Sequence, residues 1–114
     1  MKALEPRQAA RDAVAASPTR PATAVIHDSD DVRLVVFRIA PGQSVPPHRS
    51  PATVLLSVLE GTALLSGERE GVAHEDTFTA GGAALYGPDE LHGMRATNET
   101  VLLLATITPR PGTR

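Results

Sequence analysis

The chain has 114 residues and a formal net charge of -2 at pH 7, enough for one domain and one core. That balance gives no field to attract nucleic acid or an anionic membrane, and the ten arginines and one lysine lie scattered without interleaved aromatics. The absence of cysteine excludes disulfides, thiolate nucleophiles and cysteine-ligated metals.

No apolar run approaches the roughly 20 residues needed to cross a bilayer. Charges run through Met1 to Ala16, so this segment does not read as a secretory signal, and a cytoplasmic location is expected. Phe37, Phe78 and Tyr86 are the only aromatic residues, so the core must be built from Val, Leu, Ile and Ala.

In chain order, residues 5 to 16 are alanine-rich, and Pro6 stands where a first helical turn loses nothing by its missing N–H. They predict a short helix ended by Ser17-Pro18. Its apolar stripe (Ala9, Ala13, Val14, Ala16) is too thin to hold alone in water. The segment reads either as an arm packed on the protein or on a partner subunit, or as a frayed terminus. Residues 17 to 22 are linker.

From Thr23 the pattern changes to strands. Thr23 to His27 is short and apolar, the acidic run from Asp28 to Asp31 is a polar turn, and Val32 to Ala40 is the next strand. Gly42 to Gly61 organises the chain: a glycine turn, then Pro46-Pro47 leading to His48, then an apolar strand from Val54 to Leu59. Thr62 to Leu65 follows, with a hairpin turn expected at Ser66 to Arg69. Val72 to Thr79, Ala83 to Tyr86, His92 to Ala96 and Thr100 to Thr108 complete the set. Eight or nine short strands, with turn signals every 8 to 12 residues and no helix between them, predict an all-β antiparallel barrel or sandwich.

Two spacings within this pattern carry more information. Gly42 is followed after five residues by His48, and Gly61 closes the stretch; later, Gly82 is followed after five residues by Pro88 and then His92. In this order the residues resemble the two motifs of the cupin superfamily, small jelly-roll β-barrels. The first family motif runs Gly, five residues, His-x-His, three or four residues, Glu, six residues, Gly. The second runs Gly, five residues, Pro-x-Gly, two residues, His, three residues, Asn. The resemblance implies a single cupin barrel over residues 23–108, preceded by a helical arm and linker (1–22) and followed by a tail (109–114).

In metal-binding cupins, two His and one Glu of the first motif join the second-motif His as ligands. Carried over, the resemblance puts His48 and His92 at ligand positions, with Ser50 in place of the other His and Val54 in place of the Glu. Glu90 replaces a glycine, and Ala96 replaces the Asn, although Asn98 is near. His92 itself arrives one residue early. Sites for zinc, iron or manganese usually need three protein ligands, so two imidazoles hold a divalent metal (iron, zinc, manganese, nickel or copper) weakly unless another group completes the shell. Candidates are His27, His74, Glu60, Glu90, Asp89 and Ser50.

Strand alternation puts residues 48 and 50 on one face and 92 and 94 on one face, which points Ser50 and Met94 inward with the two histidines. Methionine suits only copper(I). Arg49 and Arg95 fall out of phase with the histidines and are expected outward; Arg38 could also anchor an anion if it pointed inward. His27 and His74 have no motif support and read as solvated or edge-strand residues. Asp28, Asp30 and Asp31 lack calcium-loop spacing. Tyr86 reads either as the pocket's phenol or as a core tyrosine with a satisfied hydroxyl.

Two functions from different classes follow. One is a non-catalytic barrel holding an apolar small molecule, with His48 and His92 at its polar end and the metal weak or lost. The other is an enzyme: either a metal-dependent dioxygenase-like cupin, or a metal-free isomerase, epimerase or cyclase with His48 or His92 as base and Tyr86 as acid. A third role is assembly. Val101 to Ile107 is apolar on both faces and needs cover, from a second subunit or from the N-terminal helix, and a homodimer is expected.

Overall fold

The computed structural model describes residues 1–110, so the expected tail lies from residue 111 onward outside the described residues. One helix, α1 (Pro6–Asp12), precedes nine strands: β1 (Ala22–Asp28), β2 (Arg33–Ile39), β3 (Ser44–His48), β4 (Thr53–Glu60), β5 (Thr62–Arg69), β6 (Val72–Thr79), β7 (Ala83–Tyr86), β8 (His92–Ala96) and β9 (Val101–Thr108). The strands form two antiparallel sheets, one of five strands in the order β1-β2-β9-β4-β7 and one of four in the order β3-β8-β5-β6. After β3 the chain passes repeatedly from one sheet to the other, which makes the pair of sheets a jelly roll. Among the described residues, no helix is long and apolar enough to cross a membrane.

Alternation along each strand sets the core. Val54, Leu56 and Val58 of β4, Ala63 and Leu65 of β5, and Val101, Leu103 and Ala105 of β9 point into the space between the sheets and are buried. The step from β4 to β5 is made by Gly61 alone. Its φ is +83°, and a Cβ there would stand 2.6 Å from the Thr100 carbonyl oxygen, so only glycine fits.

The outer face of the larger sheet has its own small core: Ala10 of α1 is fully buried against Val36 and Leu102, with Ala24, Ile26, Leu59 and Leu104 around it. β9 is therefore covered on one face by the barrel interior and on the other by the chain's own helix. The two-faced apolar strand no longer calls for a second subunit.

Three elements differ from the sequence expectation. The helix stops at Asp12, not residue 16, because Ala13 is already extended. The Arg38 guanidinium donates to the carbonyls of Ala10, Arg11 and Ala13, taking acceptors that a further helical turn would need. The hairpin turn falls at Glu70-Gly71, both at positive φ, not at Ser66 to Arg69. The alternation of buried and exposed positions runs unbroken from Thr62 to Arg69 and carries β5 past the expected turn.

Residues 44 to 48 form a strand of their own where a lead-in was expected. β3 is the edge of the four-stranded sheet, where Pro46 and Pro47 can sit without depriving an inner neighbour of hydrogen bonds.

Candidate functional site

His48 at the end of β3 and His92 at the start of β8 are register partners across the sheet. Their rings stand 4.2 Å apart between centroids, tilted by 59°. The close approach depends on Gly93, where a Cβ would meet the Pro47 nitrogen at 2.9 Å and its Cα at 3.0 Å. A side chain at 93 would push β3 away from β8.

Each ring is held the same way from behind. His48 Nδ1 donates to the Pro46 carbonyl (2.9 Å), and His92 Nδ1 donates to the Glu90 carbonyl (3.2 Å). In each case the carbonyl lies two residues back, and a carbonyl can only accept, so the neutral ring carries its proton on Nδ1 and a lone pair on Nε2. Neither Nε2 has a protein partner among the described residues. His92 is 5% exposed, whereas His48 is open to solvent. Burial pushes the His92 imidazolium pKa below the ordinary histidine value, and the neighbouring His48 adds to the effect, against the opposing pull of the Glu90 carbonyl.

The two rings close one end of a cavity of about 290 Å³ between the sheets. Its walls are aliphatic, including Val45, Val54, Leu56, Met94 and Ile107, with Phe37 the one aromatic residue and Ser50 the one hydroxyl. Ser50 and Met94 thus stand with the histidines. Ser50 Oγ accepts from the Ala52 amide. No Asp, Glu, Lys or Arg side chain lines this cavity.

The arginines explain that absence. Arg49 is turned outward onto the Glu68 carboxylate and the Asp89 carbonyl, Arg95 pairs with Glu75, and Arg38 serves the helix end. The sequence marks Glu68 only as part of an expected turn. Its carboxylate takes both Arg49, next to His48, and the Leu91 amide, next to His92, and so ties together the two segments that carry the rings. A pairing across 19 and 23 residues has no local sequence signal.

The remaining candidate ligands lie elsewhere. His27, on the edge strand β1, contacts Lys2 and Ser29. His74, on the edge strand β6, has Nε2 3.5 Å from the Asp76 carboxylate and a buried Nδ1 without a partner. Glu60 pairs with Arg11, and the Glu90 carboxylate accepts from the Gly87 amide. Asp89 gives its amide to the Ser50 carbonyl. Asp28 is held by Arg110 and Arg33, which keep its carboxyl below the usual range.

Tyr86 touches His92 with its ring, at 5.3 Å between centroids, but its hydroxyl donates to the Ser66 carbonyl at 2.7 Å. Burial pushes its pKa up to about 12. It lines a second, smaller cavity of about 250 Å³ with His74 and Asp76 and does not line the one closed by the histidines.

A divalent metal can therefore be tested against the donors. Among the described residues, no three His, Asp or Glu side chains come together in a geometry that could hold an ion. Val54, at the position where the resemblance would put a carboxylate, offers a buried aliphatic wall. Two imidazole nitrogens alone do not make a tight site for zinc, iron or manganese.

No family model and no curated protein matches the sequence. Solved structures do match the fold. A protein with a double-stranded β-helix domain from Klebsiella pneumoniae superposes with a TM-score of 0.77 at 22% identity, over 89% of this chain and 87% of that one. An RmlC-like cupin from Desulfovibrio desulfuricans gives 0.73 at 25% identity, over 86% and 91%. Enzymes are among the similar structures: the DMSP lyase DddQ from Ruegeria pomeroyi gives 0.70 at 19% identity, over 87% of this chain and 53% of that one. By these likenesses the described residues have the cupin fold, a double-stranded β-helix, here with a helix packed on its outer face.

Proposed function

We propose that this protein binds a small, largely apolar molecule between its sheets, with His48 and His92 as the polar end of the site. One observation carries the reading: a 290 Å³ cavity lined by aliphatic side chains opens onto two imidazoles and onto no charged group. Ligand sites are concave, mostly apolar and equipped with a few placed polar groups, and this cavity of about 290 Å³ lies just below their usual range of roughly 300–1,000 Å³. The donor set supports binding without a tightly held divalent metal.

The test is to incubate the protein with a metabolite extract, re-isolate it, and identify released compounds by mass spectrometry. Val54→Phe, which fills the cavity, serves as the control. A compound retained by the wild type and lost in the variant is the expected result. Near-stoichiometric iron, zinc, manganese or copper in the purified protein, lost in His48→Ala/His92→Ala, would overturn the metal-free reading.

A second reading is favoured by His92. A buried imidazole kept neutral, with Nε2 free, is equipped as a general base for a metal-free isomerase or lyase reaction. Tyr86 is a poor acid partner for it, since its proton is already committed to Ser66. Retained turnover on the true substrate in His48→Ala/His92→Ala would eliminate this reading. The expected homodimer is proposed without the support of β9, and sedimentation at micromolar concentration tests it.

A further inference from the structure

The polar end of the cavity is more selective than its size implies. Because Pro46 and Glu90 hold both Nδ1–H groups, each neutral ring offers Nε2 as an acceptor. A ligand must therefore bring hydrogen-bond donors. The ring centroids lie 4.2 Å apart, so acceptors on two neighbouring rings call for two donors close together on one molecule. Hydroxyls on adjacent carbons supply such a pair.

Charge narrows the class further. A carboxylate or phosphate entering the cavity would find no cation, since Arg49 and Arg95 face outward on Glu68 and Glu75. An ammonium would find no carboxylate. Either ion would be desolvated without compensation, a cost that an uncharged hydroxyl with a partner avoids. The walls are aliphatic, with Phe37 alone to stack on, which favours a saturated frame over a flat aromatic one.

We infer that the cavity takes an uncharged vicinal diol on a small aliphatic frame, one hydroxyl donated to each unpartnered Nε2, and excludes anions of the same size. The inference rests on the binding reading above and adds the ligand class.

Four probes test it, on protein kept in EDTA so that trace metal cannot bridge a diol to the rings: cis-1,2-cyclohexanediol, cyclohexanol, 1,2-dimethoxycyclohexane and cyclohexanecarboxylate. Binding is read from NMR shifts of the methyl groups lining the cavity and of the histidine ring nitrogens. The diol should bind about fivefold more tightly than cyclohexanol, the ratio expected for one further net hydrogen bond. It should also move both Nε2 resonances. His48→Ala, at an exposed residue, should remove that fivefold advantage, so that the diol binds no more tightly than cyclohexanol, with the backbone amide spectrum reporting that the fold persists. The diether or the carboxylate binding as well as the diol would overturn the diol inference and leave the cavity reading standing. No shift of the lining methyls with any of the four probes would overturn both.

Discussion

His48 and His92 stand directly opposite one another across β3 and β8, each ring fixed from behind by the carbonyl two residues earlier in its own strand or loop. The backbone, not other side chains, sets their orientation. The pair therefore holds its arrangement without any further ligand-type side chain, and its properties can be tested one at a time.

Acidification should destabilise the protein through His92. Its folded-state pKa lies below the ordinary value because burial penalises the imidazolium. An unfolded histidine takes its proton near pH 6.5, so below that pH the unfolded chain binds a proton that the folded chain resists, and stability falls with pH. Melting temperatures should drop between about pH 7 and pH 5 in the wild type, and less in His92→Gln. The paired carboxylates Asp28, Glu68 and Glu75, whose pKa values are lowered, act in the same direction at lower pH: their contribution is present above the usual carboxylate pKa of about 4 and is lost below it. A melting curve flat from pH 7 to 5 would contradict the His92 assignment.

Gly93→Ala should cost about 1–3 kcal/mol, the range for forcing extra atoms into a packed site. The new methyl meets proline backbone, which cannot swing aside as a side-chain end could. The same change should separate the two rings and weaken ligand binding, measurable by urea unfolding together with the histidine ring spectra. Unfolding at the wild-type urea midpoint would show that β3 can give way freely.

Restoring the absent ligand types should create a metal site. In Ser50→His/Val54→Glu, two donors join His48 and His92 on the walls of one cavity. Val54 is 3% exposed, so a glutamate there without a counter-charge should lower the melting temperature of the apo protein. Manganese or zinc should raise it again, because an ion that binds only the folded state stabilises it. Equal melting temperatures with and without metal would mean that the four positions do not converge.

Arg38→Ala should loosen the N-terminal helix. Three carbonyls lose their donor, and hydrogen bonds to a charged group contribute about 1.5–3 kcal/mol each when well formed, less where water can replace them. A loss of about 2 kcal/mol is expected in chemical denaturation. Faster amide exchange should be confined to α1 and the strands beneath it. Exchange unchanged at Ala10 would show that the apolar contact alone holds the helix.

The barrel was legible because its information is local. Turn residues at short spacing and alternating aliphatic strands such as Thr53–Glu60 state the fold before any long-range contact is known. The positions of His48 and His92 were legible through their spacing from Gly42, Gly82 and Pro88. Other features depended on distant partners. Arg38 shortens the helix from 25 to 28 residues away, and Glu68 braces both histidine segments from another strand. Tyr86 had two open readings in the sequence, and only its distance to the Ser66 carbonyl shows where its proton goes. Pro46-Pro47 disguised β3, because a rule that holds for inner strands does not hold for an edge.

That same edge has a consequence for the company the protein keeps. An open strand margin normally invites another chain to zip onto it, and here the margin runs beside the rings that close the cavity. Two successive residues without N–H groups deny an incoming strand its ladder at that point. The rim beside the histidines is thus poorly suited to being sealed by strand addition.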